Sequence, residues 1–440
     1  MTAWIRAIAS AFEAVPMLRR FAMSVWFLLP GLCLLAQPAP PLRELTWENF
    51  DPWHQFIKPQ PGECRFWQVR WQTDVHNARL QAAKEGKPLL ILSGHRGSPL
   101  GNCRWSVSAA RDPAVWNEEF TRLVKERCIA VTVPDAGTVR KRQDAVGTFF
   151  RNANVGSTAL TSNFCMDVVT ASGKHLGRIA FNTPGVALGM LKKALQTFDS
   201  LPEADKRGPA DLLQDNQRVD DGLPKAPAGT LILRVYLRQL GRNSDGTIRY
   251  TQPSDYTEKT PERNRKLCRE PFDDTMWVLA EEGKALIANA TAQGQQLPVP
   301  ESLQLRLFRY HLNPRVGFTE GPCFAKATTK DGRLTVSVEY TDSEEIRLRV
   351  EGQAKLQLGD DLTYEPVILG KLVYSRSQAA FTRFDLVALG NVTGHIQHGG
   401  GGYRPGAQPL GIAFELVAKP RPTDRLPPGG AGDAAYLKPK

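Results

Sequence analysis

Two groups of residues in this chain are of types that could do chemistry. The first is a single cysteine. Cys103 follows a Gly/Ser/Pro loop, Gly94 to Gly101, and opens a helical stretch. A thiol at a helix N-terminus has its thiolate favoured by the helix dipole and by free N–H groups. His95 and Arg96, in the same loop, could lower its pKa further, or simply be solvated loop residues. A Cys-x-x-Cys pair would need cysteine at position 100, where the chain has Leu100. Cys103 is therefore open to three readings: a buried structural thiol, half of a disulfide with a distant cysteine, or a single reactive thiol.

The second group is His395-Ile-Gln-His398 beside the glycine run Gly399 to Gly402. Two histidines at this spacing could hold a metal only in a turn or a helix, because on a strand they point to opposite faces. A zinc site needs further ligands and none is evident nearby, so no metal site is assigned and His395 and His398 remain weak candidates. The glycine run lacks the Gly-Lys-Ser/Thr ending of a phosphate loop. Arg383 and Asp385, with His395, could line a pocket; a salt-bridged surface explains the first two equally well. No cofactor motif stands out.

The elements around Cys103 alternate between helix and strand. Thr73 to Lys84 has helical character and stops at Gly86 and Pro88. Leu89 to Leu92 is a short apolar strand. Asp112 and Pro113 start a second helix, Ala114 to Lys125. Cys128 to Val133 is a strand, and Met166 to Thr170 with Leu176 to Phe181 forms a hairpin about Gly173. Val186 to Phe198 closes the region with an amphipathic helix.

Residues 65–200, with the phrases AKEGKPLLILSG, NCRW and ASGKHLGRIAF, resemble the thioredoxin-like superfamily. The resemblance implies a thioredoxin fold there. It also implies that Cys103 corresponds to the second cysteine of the family's Cys-x-x-Cys, and that Leu100 replaces the attacking one. Phe164 or Cys165 falls where the family has its cis-proline. The loop before the hairpin abuts the active-site helix in that fold, so the resemblance places Cys165 near Cys103. A bridge would need the two Cα atoms within about 7 Å. Cys103 and Cys165 are thus the candidate catalytic residues of a thiol-disulfide chemistry, or a structural disulfide.

The rest of the chain is of a different kind. Residues 230–418 contain strand candidates at Thr230–Leu237, Leu303–Tyr310, Leu334–Tyr340, Ile346–Val350, Lys355–Leu358, Val367–Tyr374, Phe381–Leu389 and Gly411–Val417, with one short helix at Asp274–Ala280. Their apolar/polar alternation indicates half-buried antiparallel strands. The fold class expected is thus an α/β thioredoxin-like domain followed by a β-rich domain, an antiparallel sandwich or barrel-like. Residues 37–64 read as a Pro/Trp-rich linker or arm lying on the next domain, 201–229 as a linker, and 419–440 as a disordered tail.

Residues 1–36 read as a signal peptide. Arg19 and Arg20 precede an apolar run that is short for a membrane span and broken by Pro30. An uncleaved anchor is the alternative. Six of the seven cysteines lie beyond this segment, too sparse for a disulfide scaffold. The net charge of +11 is scattered and not interleaved with aromatics, which argues against nucleic acid as a partner.

These features point to an exported two-domain protein. The degenerate thioredoxin-like domain would have a binding or structural role toward an unknown protein or extracellular ligand, without spanning the membrane once the signal is removed. The alternatives are an atypical thiol-disulfide oxidoreductase using Cys103, with or without Cys165, and a hydrolase or metal-dependent enzyme seated in the β-rich domain. Mass spectrometry of the exported protein is expected to find roughly the first 36 residues removed; a mature form that retains Met17 would instead indicate an anchor.

Overall fold

The apolar run that follows Pro88 forms β1 (Leu89–Ser93), every residue of which is buried. The chain is described by a computed structural model, which covers residues 42–93, 112–133, 136–156, 165–180, 184–208, 212, 225–314, 328–358, 362–394 and 404–439. β1 is central in a four-stranded sheet of order β2-β1-β3-β4. Its parallel neighbour is β2 (Ile129–Val133), and β3 (Cys165–Val169) runs antiparallel on its other side. β4 (His175–Ala180) pairs with β3 through a turn in which Gly173 takes φ +97°, a conformation that favours glycine.

Alternate residues of these strands feed two cores. Leu90, Leu92, Met166 and Val168 face α3 (Glu118–Arg127) and α6 (Ala187–Asp199) through Phe120, Val124, Leu191 and Leu195. Leu89, Ile91, Val131 and Val169 face α2 (Val75–Glu85), α4 (Ala136–Lys141) and α5 (Ala145–Asn152). The result is a three-layer α/β region. Asp74, Asn117 and Asp144 cap α2, α3 and α5 by accepting a backbone N–H, and Gly86 ends α2 at φ +63°. The helix expected from Ala114 begins later, at Glu118. The Asp112 carboxylate accepts the Ala114 N–H at 2.9 Å in a separate turn, which carries Val115 and Trp116 into the core. The short α7 (Glu203–Arg207) follows α6.

The β-rich region is one antiparallel sheet of nine strands. Its order is β6 (Ile248–Tyr250), β5 (Leu231–Arg242), β13 (Gln408–Leu416), β12 (Ala380–Thr393), β11 (Thr363–Ser375), β10 (Glu345–Gln357), β9 (Thr328–Thr341) and β8 (Gln296–Pro298), with β7 (Phe272–Val278) also paired to β5. In place of a second stacked sheet, α9 (Ala280–Ile287) and α10 (Glu301–Arg306) cover the inner face, where they share a single hydrophobic cluster with the strands. The two candidates before and after Gly352 are one strand, β10. A Cβ at this glycine would lie 2.1 Å from the Arg333 carbonyl oxygen, so only glycine permits the strand to pass.

Two assignments are reversed by tertiary context. The expected helix Asp274–Ala280 is mostly strand β7, held by pairing with β5. The expected strand Leu303–Tyr310 is α10 continued by a π-turn, Leu307–His311, because Leu303, Leu307 and Phe308 fall on one buried helical face. A further short helix, α8 (Glu262–Leu267), precedes β7.

The arm and the tail also depart from expectation. Helix α1 (Phe50–Ile57) lies not on the α/β region but on the outer face of the large sheet, where Phe50, Trp53 and Ile57 pack with Tyr236, Leu240, Val387 and Ala413. The tail is packed rather than disordered: Tyr436 is 1% exposed. Arg306 binds it, donating from Nε to the Tyr436 carbonyl at 2.9 Å and from Nη2 to the Leu437 carbonyl at 2.9 Å. Glu282 neutralises Arg306 at 2.6 Å, and the Tyr436 hydroxyl lies 2.8 Å from Nε2 of the buried His311. Among the described residues no helix is long and apolar enough to cross a membrane.

Burial, with the Arg306 charge nearby, pushes the His311 pKa down to about 3. Unfolded histidine titrates near about 6.5, so the unfolded chain takes up this proton first as pH falls. His311 therefore contributes stability that is complete above about pH 6.5 and lost toward about pH 3. Urea unfolding should show wild type losing about 2 kcal/mol more than His311→Gln between about pH 7 and about pH 5. Equal losses in the two proteins would mean that His311 is not neutral in the fold.

Candidate binding cleft

The structure brings few of the sequence candidates together. Cys103, His95, Arg96, His395 and His398 lie outside the described residues. Cys165 is the first residue of β3, in register with Ser93, the last residue of β1. Arg383 and Asp385 form a salt-bridged surface. Arg383 donates to Asp385 at 2.6 Å and to Asp51 of α1 at 2.6 Å, and Lys371 donates to Asp51 at 2.7 Å. These charges clasp the arm to the sheet.

Two of the described thiols, Cys128 and Cys268, are poor nucleophiles. Cys64, Cys128 and Cys268 carry no disulfide. Burial pushes the Cys128 and Cys268 thiols up to about 12, so both stay protonated at neutral pH. No cluster of three or more metal-ligating side chains occurs among the described residues.

A buried acid went unnoticed in the sequence. Asp167 is fully buried on β3 and accepts hydrogen bonds from His175 Nε2 at 2.8 Å, Arg178 Nε at 2.6 Å and the Gly156 N–H at 2.9 Å. Burial works to raise its pKa, but the bonds from His175 and Arg178 outweigh it and hold the carboxyl below its usual range. In sequence it stands as one polar residue in an apolar strand, and its side-chain partners His175 and Arg178 lie on the other arm of the hairpin.

A concavity lies elsewhere, above the outer face of β5. Every residue of β5 from Ile232 to Gly241 is buried. Leu233, Val235 and Leu237 point into the inner core, and Arg234, Tyr236 and Arg238 occupy alternate positions on the opposite face. Arg238 has no exposed surface. It donates to the carbonyls of Ile57 (2.9 Å), Lys58 (2.8 Å) and Arg269 (3.0 Å), and pairs with Glu63 at 2.5 Å. Arg234, 7% exposed, is paired with Asp424 of the tail and lies 5.0 Å from the Trp67 ring centroid.

The arm, β5, the end of β13 and the tail together enclose a cleft of about 480 Å³. Its walls include Glu63, Trp67, Arg234, Tyr236, Glu415 and Arg421. Arg421 lies 5.6 Å from the Trp67 ring and donates from Nε to Asp424 at 3.0 Å. Tyr236 donates to Glu415 at 3.3 Å, and Glu415 is also paired with Lys58. Burial, above all, holds the Tyr236 phenol above its ordinary range, so it stays a neutral donor.

Sequence reasoning missed this site because Arg234 and Arg238 alternate with apolar residues, as on a solvent-facing strand. The signal available was their neighbour Tyr236, an aromatic on the supposedly wet face. Comparison of the chain with protein-family models, curated proteins and solved structures finds no match.

Asp424, 2% exposed, is the carboxylate that compensates buried Arg234. Removing one partner of a buried pair strands the other charge. Asp424→Ala should therefore cost about 3–5 kcal/mol in chemical unfolding, and Asp424→Asn somewhat less. A loss below about 1 kcal/mol, the range of exposed pairs, would show that the tail does not close over Arg234.

Proposed function

We propose that this chain is an exported binding or structural protein whose α/β part is a degenerate thioredoxin-like domain. The observation that carries the reading is the sheet. Strands β1 and β2, each preceded by a helix, and then the β3–β4 hairpin followed by α6 agree with the succession of elements on which the resemblance rests, and they share one sheet of order β2-β1-β3-β4. Support for a binding role comes from the cleft of about 480 Å³, within the usual range of ligand sites. Leu100 at the position of the attacking cysteine weighs against dithiol exchange. The ligand is an extracellular small molecule or a protein segment, and the leader of residues 1–36 accounts for export.

One observation favours the oxidoreductase alternative. Cys165 starts β3 beside Ser93, the point where the chain leaves β1 toward Cys103. If Cys165 replaced the missing partner, thiolate attack by one sulfur and resolution by the other would follow the usual exchange chemistry. A disulfide-reductase assay on the mature protein beside Cys103→Ser separates the two. We expect no turnover above background in either protein. Turnover by the mature protein that Cys103→Ser abolishes would establish the oxidoreductase and remove the binding reading.

A further inference from the structure

We propose that the cleft beside Trp67, Arg234 and Arg421 is a carboxylate-binding site, taking the carboxylate of a small organic acid or of a polypeptide C-terminus. The inference rests on the binding role proposed above and names its ligand class. Three cations line the cleft: Arg234, Lys419 and Arg421. Of the three lining carboxylates, Glu63 is committed to Arg238 and Glu415 to Lys58, both from outside the cleft. Asp424 alone faces the cations directly, and it is shared by Arg234 and Arg421. Asp273, on β7 beside Tyr236, is the other acid that acts on Arg421. The three lining cations thus outnumber the one lining carboxylate left to them, Asp424, an imbalance that suits an anionic ligand.

Hydrogen-bond geometry agrees with the charge count. Arg421 donates from Nε and Nη2 to Asp424 at 3.0 and 3.2 Å, and from Nη1 to the Trp67 carbonyl at 3.3 Å. One hydrogen on each terminal nitrogen remains, a pair suited to gripping both oxygens of a carboxylate. Its side chain is 44% exposed, so a ligand can reach it. Burial and the neighbouring Arg234 both work against the Arg421 charge. A guanidinium does not release its proton in proteins, so relief comes from an anion.

Calorimetric titration of the mature chain tests this with four probes: acetyl-trialanine as free acid, its C-terminal amide, propionate and inorganic phosphate. The free acid is expected to bind, the amide about tenfold or more weaker, and Arg421→Gln to weaken the acid by about tenfold, the worth of one charge-assisted contact. Lys419→Gln, on the rim, should weaken it by a smaller factor. Arg421→Gln leaves Asp424 paired with Arg234, and an unchanged unfolding midpoint verifies the fold. Propionate binding as well as the peptide acid assigns a small organic acid; weaker propionate binding assigns a polypeptide terminus. The inference is overturned if no carboxylate binds, if acid and amide bind alike, if Arg421→Gln binds as wild type, or if phosphate binds more tightly than either carboxylate. Each of these outcomes leaves the binding role standing, because only disulfide turnover through Cys103 removes that.

Discussion

A strand buried on both faces with arginine on one of them is the constraint around which this protein is organised. β5 supplies Leu233, Val235 and Leu237 to the inner core and presents Arg234 and Arg238 on its other face. A guanidinium out of water is tolerated only when its donors are met. The chain meets them with two distant segments. The arm brings the Ile57 and Lys58 carbonyls and Glu63 to Arg238, and the tail brings Asp424 to Arg234. Arm and tail are thereby parts of the β-rich fold, although each was read in the sequence as lying outside it.

The same two segments also fasten the α/β region. Phe66 belongs to the α/β core with Trp71 and Trp116, while its neighbour Trp67 stacks against Arg234 of the large sheet. In the tail, Asp424 serves Arg234 and Leu426 is buried in the α/β core. Residues 66–67 and 424–426 thus each touch both the α/β core and Arg234 of the large sheet, and the cleft lies beside these contacts. Its polarity follows from this origin: it forms where a charged strand face meets the segments that neutralise it.

Local signals made the α/β region legible. Gly86 after α2 and Gly173 in the hairpin each act within a few residues, and each is found in its expected role; the cap Asp74, which the sequence reading placed inside the helix, acts just as locally. Asp112 is a cap signal that acts on the wrong turn, since Asn117 begins α3 instead. Leu303 to Tyr310 shows where periodicity runs out: its apolar positions fit both a strand and a helix, and burial against the sheet decides for the helix. The cleft was not legible because its contacts are remote. Arg238 and Ile57 are 181 residues apart in sequence, and beside Arg238 only Tyr236, an aromatic on the same strand face, hints at burial.

Charge at this junction supplies direction more than energy. Apolar side chains of similar volume at 234 and 238 could give comparable stability, since desolvation consumes most of what a buried ion pair gains. They would not fix where the arm lies. Arg238 grips two successive carbonyls, Ile57 and Lys58, with different nitrogens, so a shift of the arm by one residue breaks both bonds and leaves the charge unmet. Gly411 sets the same limit from the sheet side: a Cβ there would lie 2.7 Å from Ile57. A planar donor and a bare strand position together admit one placement of α1. That placement carries residues 63–68 to the mouth of the cleft, so the register of the arm on β5 determines whether the cleft exists.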